Sequence, residues 1–167
     1  MEAAASLVLD AANQTINMMT LQIENARPEE KDLVVSLLNK ADLLTEDLPE
    51  GLPTFLLAKE GDELVGVAGL EQFGSVGLLR SVAVSPAHQG QGIAGRMVEQ
   101  LLASADEQNL QAVYLITTTA DHYFNRYGFT AVDRQQVPEA IQRTRQFSGL
   151  CPSSAVVMKR NIKYQTA

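Results

Sequence analysis

The sequence predicts an α/β fold: one mixed, strongly twisted sheet with helices on both faces. Three observations carry that prediction. Short apolar runs alternate with stretches whose apolar residues recur at helical spacing. Phe55–Lys59, Leu64–Leu70 and Val76–Val84 follow one another across turns at Gly61-Asp62 and Gly74, the pattern of three antiparallel strands in a row. Two glycines, Gly90 and Gly92, then stand where an apolar strand gives way to a helical pattern.

In order along the chain, residues 1–18 are alanine-rich and read as a peripheral N-terminal extension, either a short helix or a dimer contact. Met19–Ile23 is the first strand candidate. Pro28 suits the first turn of a helix, with Leu33, Val34, Leu37, Leu38 and Ala41 as its apolar stripe. Thr45–Glu50 reads as a short helical turn before Pro53. After the three strands, Ile93, Met97, Val98, Leu101, Leu102 and Ala105 line one helical face. Val113–Thr117 is a strand, Ala120–Tyr127 a short helix and Phe129–Val132 another strand. Val137–Gln146 reads as a helix starting near Pro138, and Ala155–Lys159 closes the sheet. Residues 19–162 thus form one domain, with 163–167 as a tail.

Composition narrows the function. The chain has 167 residues, 46% of them hydrophobic, enough for one domain with a substantial core. A formal charge of −7 excludes sequence-independent nucleic-acid binding, which needs a basic surface. The single cysteine excludes an intrachain disulfide, and neither it nor the two histidines has a metal-ligand spacing, so no metal is expected. No apolar stretch approaches the roughly 20 residues of a membrane span. With no basic leader after Met1, a reducing, cytoplasmic setting is expected.

The segment Gln89-Gly90-Gln91-Gly92-Ile93-Ala94 opens the helix after Val84. The first turn of a helix offers unpaired N–H groups and the positive end of a dipole, so the arrangement reads as a phosphate cradle. Gly90-x-Gly92-x-x-Gly95 matches the glycine spacing of a dinucleotide fingerprint, but the next strand ends in threonines rather than a ribose-binding acid. No Gly-Lys-Ser/Thr is present, which removes the Walker pattern. The wider segment Val82–Ala94 resembles the acetyl-CoA signature of the GNAT N-acetyltransferases: Arg or Gln, two free positions, Gly, one free position, then Gly or Ala. Gln89, Gly92 and Ala94 satisfy it. Phe124-Asn125-Arg126-Tyr127-Gly128-Phe129 looks like a second family landmark, and the resemblance spans roughly residues 19–160.

That resemblance implies an acetyl-CoA-dependent transfer of an acetyl group to the amine of a small molecule, without a covalent enzyme intermediate. It implies that the backbone of Val82, Ala83 and Val84 pairs with the pantetheine arm, and that N–H groups from Gln89 through Gly90, Gln91, Gly92, Ile93 and Ala94 to Gly95 hold the pyrophosphate. Glu71, at the end of a neighbouring strand, is the leading candidate for the base that frees the amine of its proton; the alternative is a solvated strand-end acid. Asp121 and His122 are rivals whose other reading is helix capping. Relatives often carry a tyrosine acid at the position of Phe124, which cannot donate a proton and is expected to pack against the pantetheine or acetyl end. Tyr123 and Tyr127 are the possible substitutes.

Arg80 interrupts an apolar strand, and a buried arginine needs a partner. It either pairs with Glu71 or grips a substrate carboxylate. Thr117 and Thr118 bind substrate or serve the following turn, and Thr119 suits a cap. Phe129–Asp133, Val137-Pro138, Leu150-Cys151-Pro152, Ala155 and Met158 resemble the acetyltransferases associated with arsenic resistance and echo glutamate N-acetyltransferases, which implies an amino acid or an acidic analogue as acceptor. Arg143 and Arg145 are then either anion contacts or a solvated helix face, and Cys151 is structural or substrate-adjacent. Two alternatives stand beside this reading: a protein N-terminal or lysine acetyltransferase, and a non-catalytic CoA-binding sensor. A homodimer is the expected assembly if there is one.

Overall fold

The computed structural model describes residues 21–118, 120–148 and 155–162. Its strands are β1 (Leu21–Asn25), β2 (Phe55–Glu60), β3 (Glu63–Phe73), β4 (Val76–Val84), β5 (Ala112–Thr117), β6 (Thr130–Val132) and β7 (Val156–Asn161). The helices are α1 (Lys31–Lys40), α2 (Ile93–Glu107), α3 (Asp121–Asn125), α4 (Glu139–Gln142) and α5 (Arg145–Ser148). The strands form one 7-stranded sheet in the order β1-β2-β3-β4-β5-β7-β6. All neighbours are antiparallel except β4 and β5, which run parallel because α2 crosses between them.

Alternating residues along each strand supply two cores, as the strand period of two requires. Leu56, Ala58, Leu70, Leu79, Val113 and Leu115 face α2, meeting Ile93, Met97, Val98, Leu101 and Leu102. Phe124 and Phe129 extend that same core at the α3 end. On the opposite face, Leu57, Val67 and Ala83 meet Val34, Leu37 and Leu38 of α1. Farther along that face Leu78, Tyr114 and Val157 meet Val137 and Ile141. Each fully buried leucine or valine contributes about 1.5–3 kcal/mol, so both faces need their helices.

Most element identities match the sequence reading, with ends shifted by up to three residues. Three differences have physical reasons. Thr45–Glu50 forms turns, not a helical turn; Leu48 and Leu52 are drawn into the core under α1. The helix expected over Val137–Gln146 is split into α4 and α5. The split falls at Thr144, whose Oγ1 donates to the Ile141 carbonyl at 2.7 Å and accepts the Phe147 N–H at 3.3 Å. On α1, Leu33 is 53% exposed because it lies one residue, about 100° of helix, from Val34. Residues 1–18 and 163–167, Thr119, Cys151 and Pro152 lie outside the described residues.

Gly69 marks the tightest approach within the sheet: a Cβ built there would stand 2.5–2.7 Å from the Phe55 ring. Gly69→Ala is therefore expected to destabilise the protein by about 1–3 kcal/mol through overpacking, read as a lowered urea midpoint with unchanged m-value. Phe55→Leu in the same background should restore part of that loss.

Candidate active site

β4 and β5 pair only at their beginnings, through Val76 with Ala112, Gly77 with Val113 and Leu78 with Tyr114. Beyond Leu78 the two strands diverge. The cause is legible in the β3–β4 register, where Val67 opposes Ala83 but Gly69 opposes Arg80. Two steps on β3 match three on β4, which is a β-bulge. Ser81 takes up the extra residue in the left-handed region, with φ 58°. After the bulge the side-chain phase inverts: Val82 and Val84 pack toward α2, and Ala83 joins the core under α1.

A cleft of about 500 Å³ fills the resulting gap. One wall is β4 from Leu79 to Val84 and the other is β5 from Leu115 with Thr117 and Thr118. Ala41–Leu44 also line it, as do Tyr123 and Phe124 from the α3 side. Because β4 has no β5 partner beyond Leu78, the backbone groups on that edge face the cleft.

At the cleft mouth stands the N-terminus of α2. Gly90 and Gly92 have φ of 82° and 80°, which only glycine adopts without strain, and a Cβ at either would meet nothing within 4 Å. Their conformation, not crowding, therefore demands glycine. The first backbone bond of α2 runs from the Arg96 N–H to the Gly92 carbonyl, and no side chain caps the helix. The N–H groups of Ile93, Ala94 and Gly95 thus lead the helix without intrahelical acceptors. Gln89 and Ala94 line the cleft. The Ile93 side chain is buried in the core, so only its backbone can meet a ligand. Exposed Gln91 and Gly92 lie on the outer side of the loop.

The loop is braced by residues that sequence reasoning passed over. His88 Nδ1 lies 2.8 Å from Ser85 Oγ, and its Nε2 lies 3.2 Å from Glu60 Oε2. Gln89 Nε2 donates to the Val84 carbonyl at 3.1 Å. A histidine spaced three residues from a serine was visible in the sequence, but its contact with Glu60 is a tertiary fact.

Arg80 is buried, its side chain only 1% exposed. Its two terminal nitrogens donate to Asp47 Oδ1 and Oδ2 at 2.6 and 3.0 Å, one of them also donates to Glu71 Oε1 at 2.6 Å, and Nε donates to Ser81 Oγ at 3.0 Å. The expected pairing with Glu71 is present, and Asp47 is an additional partner. Each nitrogen of the guanidinium has a partner within the protein, the first of the two roles expected for Arg80, and Arg80 also lines the cleft. Glu71 pairs with Arg80 and is not among the residues that line the cleft. Asp121 and His122 also lie off that wall. Arg143 and Arg145 are exposed and pair with Glu139 and Glu46.

Thr117 and Thr118 do line the cleft, and Thr117 Oγ1 accepts the Ala120 N–H at 2.9 Å. Tyr123 lines it too, whereas Tyr127 does not. Tyr127 instead packs beneath α2, where a Cβ on Gly95 would collide with its hydroxyl. The two hydroxyls are 3.4 Å apart. Burial, reinforced by the Tyr127 hydroxyl, raises the Tyr123 phenol well above the ordinary tyrosine range. Phe124 is largely core, edge-on to Phe129 and Tyr123, with one side toward the cleft.

The chain has counterparts among known proteins. Residues 17–129 match the model of the Acetyltransferase (GNAT) family. The chain belongs to that family. Similar GNAT relatives are amino-acid acetyltransferases. The one from Mycobacterium tuberculosis is 33% identical over 110 residues, covering 64% of this chain and 60% of the relative. The one from Salmonella typhimurium is 26% identical over 143 residues, covering 82% of this chain and 31% of the relative. The chain therefore spans less than two thirds of the one and about a third of the other. In fold it resembles an N-acetylglutamate synthase from Neisseria gonorrhoeae complexed with coenzyme A and N-acetyl-glutamate (TM-score 0.74, 19% identity, 86% of this chain, 35% of that one). It also resembles a Mycobacterium tuberculosis protein complexed with CoA (TM-score 0.70, 23% identity, 85% of this chain, 99% of that one). The expected proximity to arsenic-resistance acetyltransferases is thereby corrected: the similar named relatives are amino-acid acetyltransferases. Among the described residues of this GNAT chain no cluster of His, Cys, Asp or Glu could hold a metal ion, and no helix is long and apolar enough to cross a membrane.

The Tyr123 shift has a testable sign. A phenol whose folded pKa is raised stabilises the fold below its unfolded value, about 10, and that stability is lost as pH rises through the folded value. Stability measured by urea unfolding should fall above about pH 10, and Tyr123→Phe should flatten that decline. An equally steep decline in the variant would assign the effect to other groups.

Proposed function

We propose that the chain transfers an acetyl group from acetyl-CoA directly to the amine of a small amino acid. The observation that carries this reading is the divergence of β4 from β5 beside the uncapped N-terminus of α2. An extended amide-bearing arm can pair with the open β4 edge at Val82, Ala83 and Val84. A pyrophosphate can take the N–H groups at the start of α2, where the helix dipole favours negative charge. The amino-acid acetyltransferases among its relatives support an amino acid as acceptor. Residues 19–162 act as one catalytic domain in this reading.

In the reaction a neutral amine attacks the thioester carbonyl, the C–N bond forms as the C–S bond breaks, the thiolate leaves, and the nitrogen gives its surplus proton to water. Thr117 and Thr118 offer hydroxyls at the acceptor end. Tyr123 is the protonated phenol on the cleft wall. Its raised pKa lies above that of a thiol, about 8.5, so full proton transfer to the thiolate is uphill. Its contribution is a hydrogen bond to the charge that develops on sulfur. Tyr127 holds that phenol in place and does not itself reach the reacting atoms. Glu71 acts at one remove, by fixing Arg80.

The test is thiol release from acetyl-CoA with a panel of amino acids that includes glutamate, glutamine and neutral analogues. Turnover is expected with at least one of them, and CoA binding without release across that panel and a broad amine panel would sink the reading. Gly92→Ala should weaken CoA binding about tenfold, the cost of forcing alanine into left-handed backbone, as read by calorimetric titration. Tyr123→Phe should lower kcat about a hundredfold with the KM for acetyl-CoA little changed.

A further inference from the structure

The segment Ala41–Thr54, between α1 and β2, has no regular structure, yet its first residues line the cleft. It holds several non-glycine residues in left-handed backbone: Asp42 (φ 56°), Leu52 (φ 50°) and Thr54 (φ 57°). Such conformations persist only where surrounding contacts enforce them. The far half of the segment is held by Leu48 and Leu52, buried under α1. The near half, Ala41–Leu44, has no comparable apolar anchor, and Leu43 is 38% exposed.

Two ion pairs reach the stretch between those halves. Glu46 meets Arg145 at 3.3 Å, but both side chains are more than half exposed, and such a pair contributes little. Asp47 meets Arg80 in a bidentate pair with side chains 8% and 1% exposed, and the Asp47 carbonyl accepts from the same guanidinium at 3.3 Å. A buried pair of this geometry is directional, and removing one partner leaves an uncompensated charge. Glu71 and Ser81 hold the guanidinium from the sheet side.

We infer that Asp47 is a positioning residue, latched onto Arg80 so that the Ala41–Leu44 wall stands at a fixed distance from β4 and sets the acceptor site. Arg80 serves the acceptor through Asp47, not by contact. The inference rests on the acetyltransferase reading for its consequence in turnover, but its structural core does not.

The experiment compares Asp47→Asn, Arg80→Met and the double variant Asp47→Leu/Arg80→Met in the full chain. Hydrogen exchange by mass spectrometry is the readout that needs no substrate. Asp47→Asn should speed exchange at the amides of residues 41–48 while β3 and β4 stay protected. In kinetics, Asp47→Asn should raise the acceptor KM about tenfold, as a misplaced wall would, with the KM for acetyl-CoA within about twofold. The double variant, which replaces the ion pair by apolar contact, should recover most of the lost acceptor affinity. If Asp47→Asn leaves or lowers the acceptor KM, and Arg80→Met abolishes acceptor binding without rescue, Arg80 is the direct contact and the inference is overturned. Unchanged exchange at residues 41–48 overturns it even if no amine is acetylated. Accelerated exchange in a protein without turnover would uphold the latch and count against the enzyme reading alone.

Discussion

The site depends on one extra residue in β4. Without the bulge at Ser81, β4 and β5 would continue the parallel ladder begun at Val76 and Ala112, and their backbone groups would satisfy one another. The bulge stops the ladder and leaves a polar edge that a ligand can complete. It also inverts the side-chain phase, so that Val82 and Val84 pack over α2 while Ala83 faces α1. Val82 to Val84 are thus held by packing on both faces, with one edge free for binding. That division suits a stretch of apolar core strand to the proposed pairing with a cofactor arm: side chains hold it still and leave the main chain to do the reading.

A second consequence concerns charge. Arg80 sits just before the bulge, on the face that carries the α1 core at one end and the Val137 and Ile141 core at the other. Two helical layers share that face without meeting, and the gap is filled by a guanidinium between Asp47 and Glu71. Removing one partner from a buried pair typically costs about 3–5 kcal/mol, so the gap is polar but rigid. Ser81 takes part as well, its Oγ accepting from Arg80 Nε while its backbone supplies the bulge. The binding edge and the ionic cluster are therefore one construction, built around consecutive residues.

Much of this was legible beforehand, and the rest was not for a definite reason. Strands and helices declared themselves by periodicity, and Gly90 and Gly92 do have the positive φ that a glycine-led helix entry suggests. Arg80 within Leu78–Val82 signalled a buried charge in need of a partner. The sequence offered Glu71, a neighbour across one hairpin, but not Asp47, 33 residues away in a segment without periodicity. The bulge was hidden because register belongs to a pair of strands, and neither Val76–Val84 nor Glu63–Phe73 shows an insertion by itself. The break at Thr144 was missed because a threonine that caps one helix and ends another looks, in one dimension, like any helical residue.

The absence of a tyrosine at position 124 is less of a deficit than the sequence suggests. Helix α3 turns Phe124 into the core, where its ring meets Phe129, and leaves Tyr123 on the cleft wall beside it. In the proposed reaction the two residues divide one role: Phe124 packs, and Tyr123 presents the hydroxyl. The arrangement has a cost, since Tyr123 is held by burial and by Tyr127, and both keep its proton on. A phenol so held is a poor acid but a well-oriented donor. Electrostatic stabilisation by a fixed donor does not require the proton to move, and a thiolate, the conjugate base of a thiol with pKa about 8.5, leaves without needing one. The position of Tyr127 beneath Gly95 then ties this donor to the first turn of α2, so that the groups at the two ends of the cleft are held by a single packed contact.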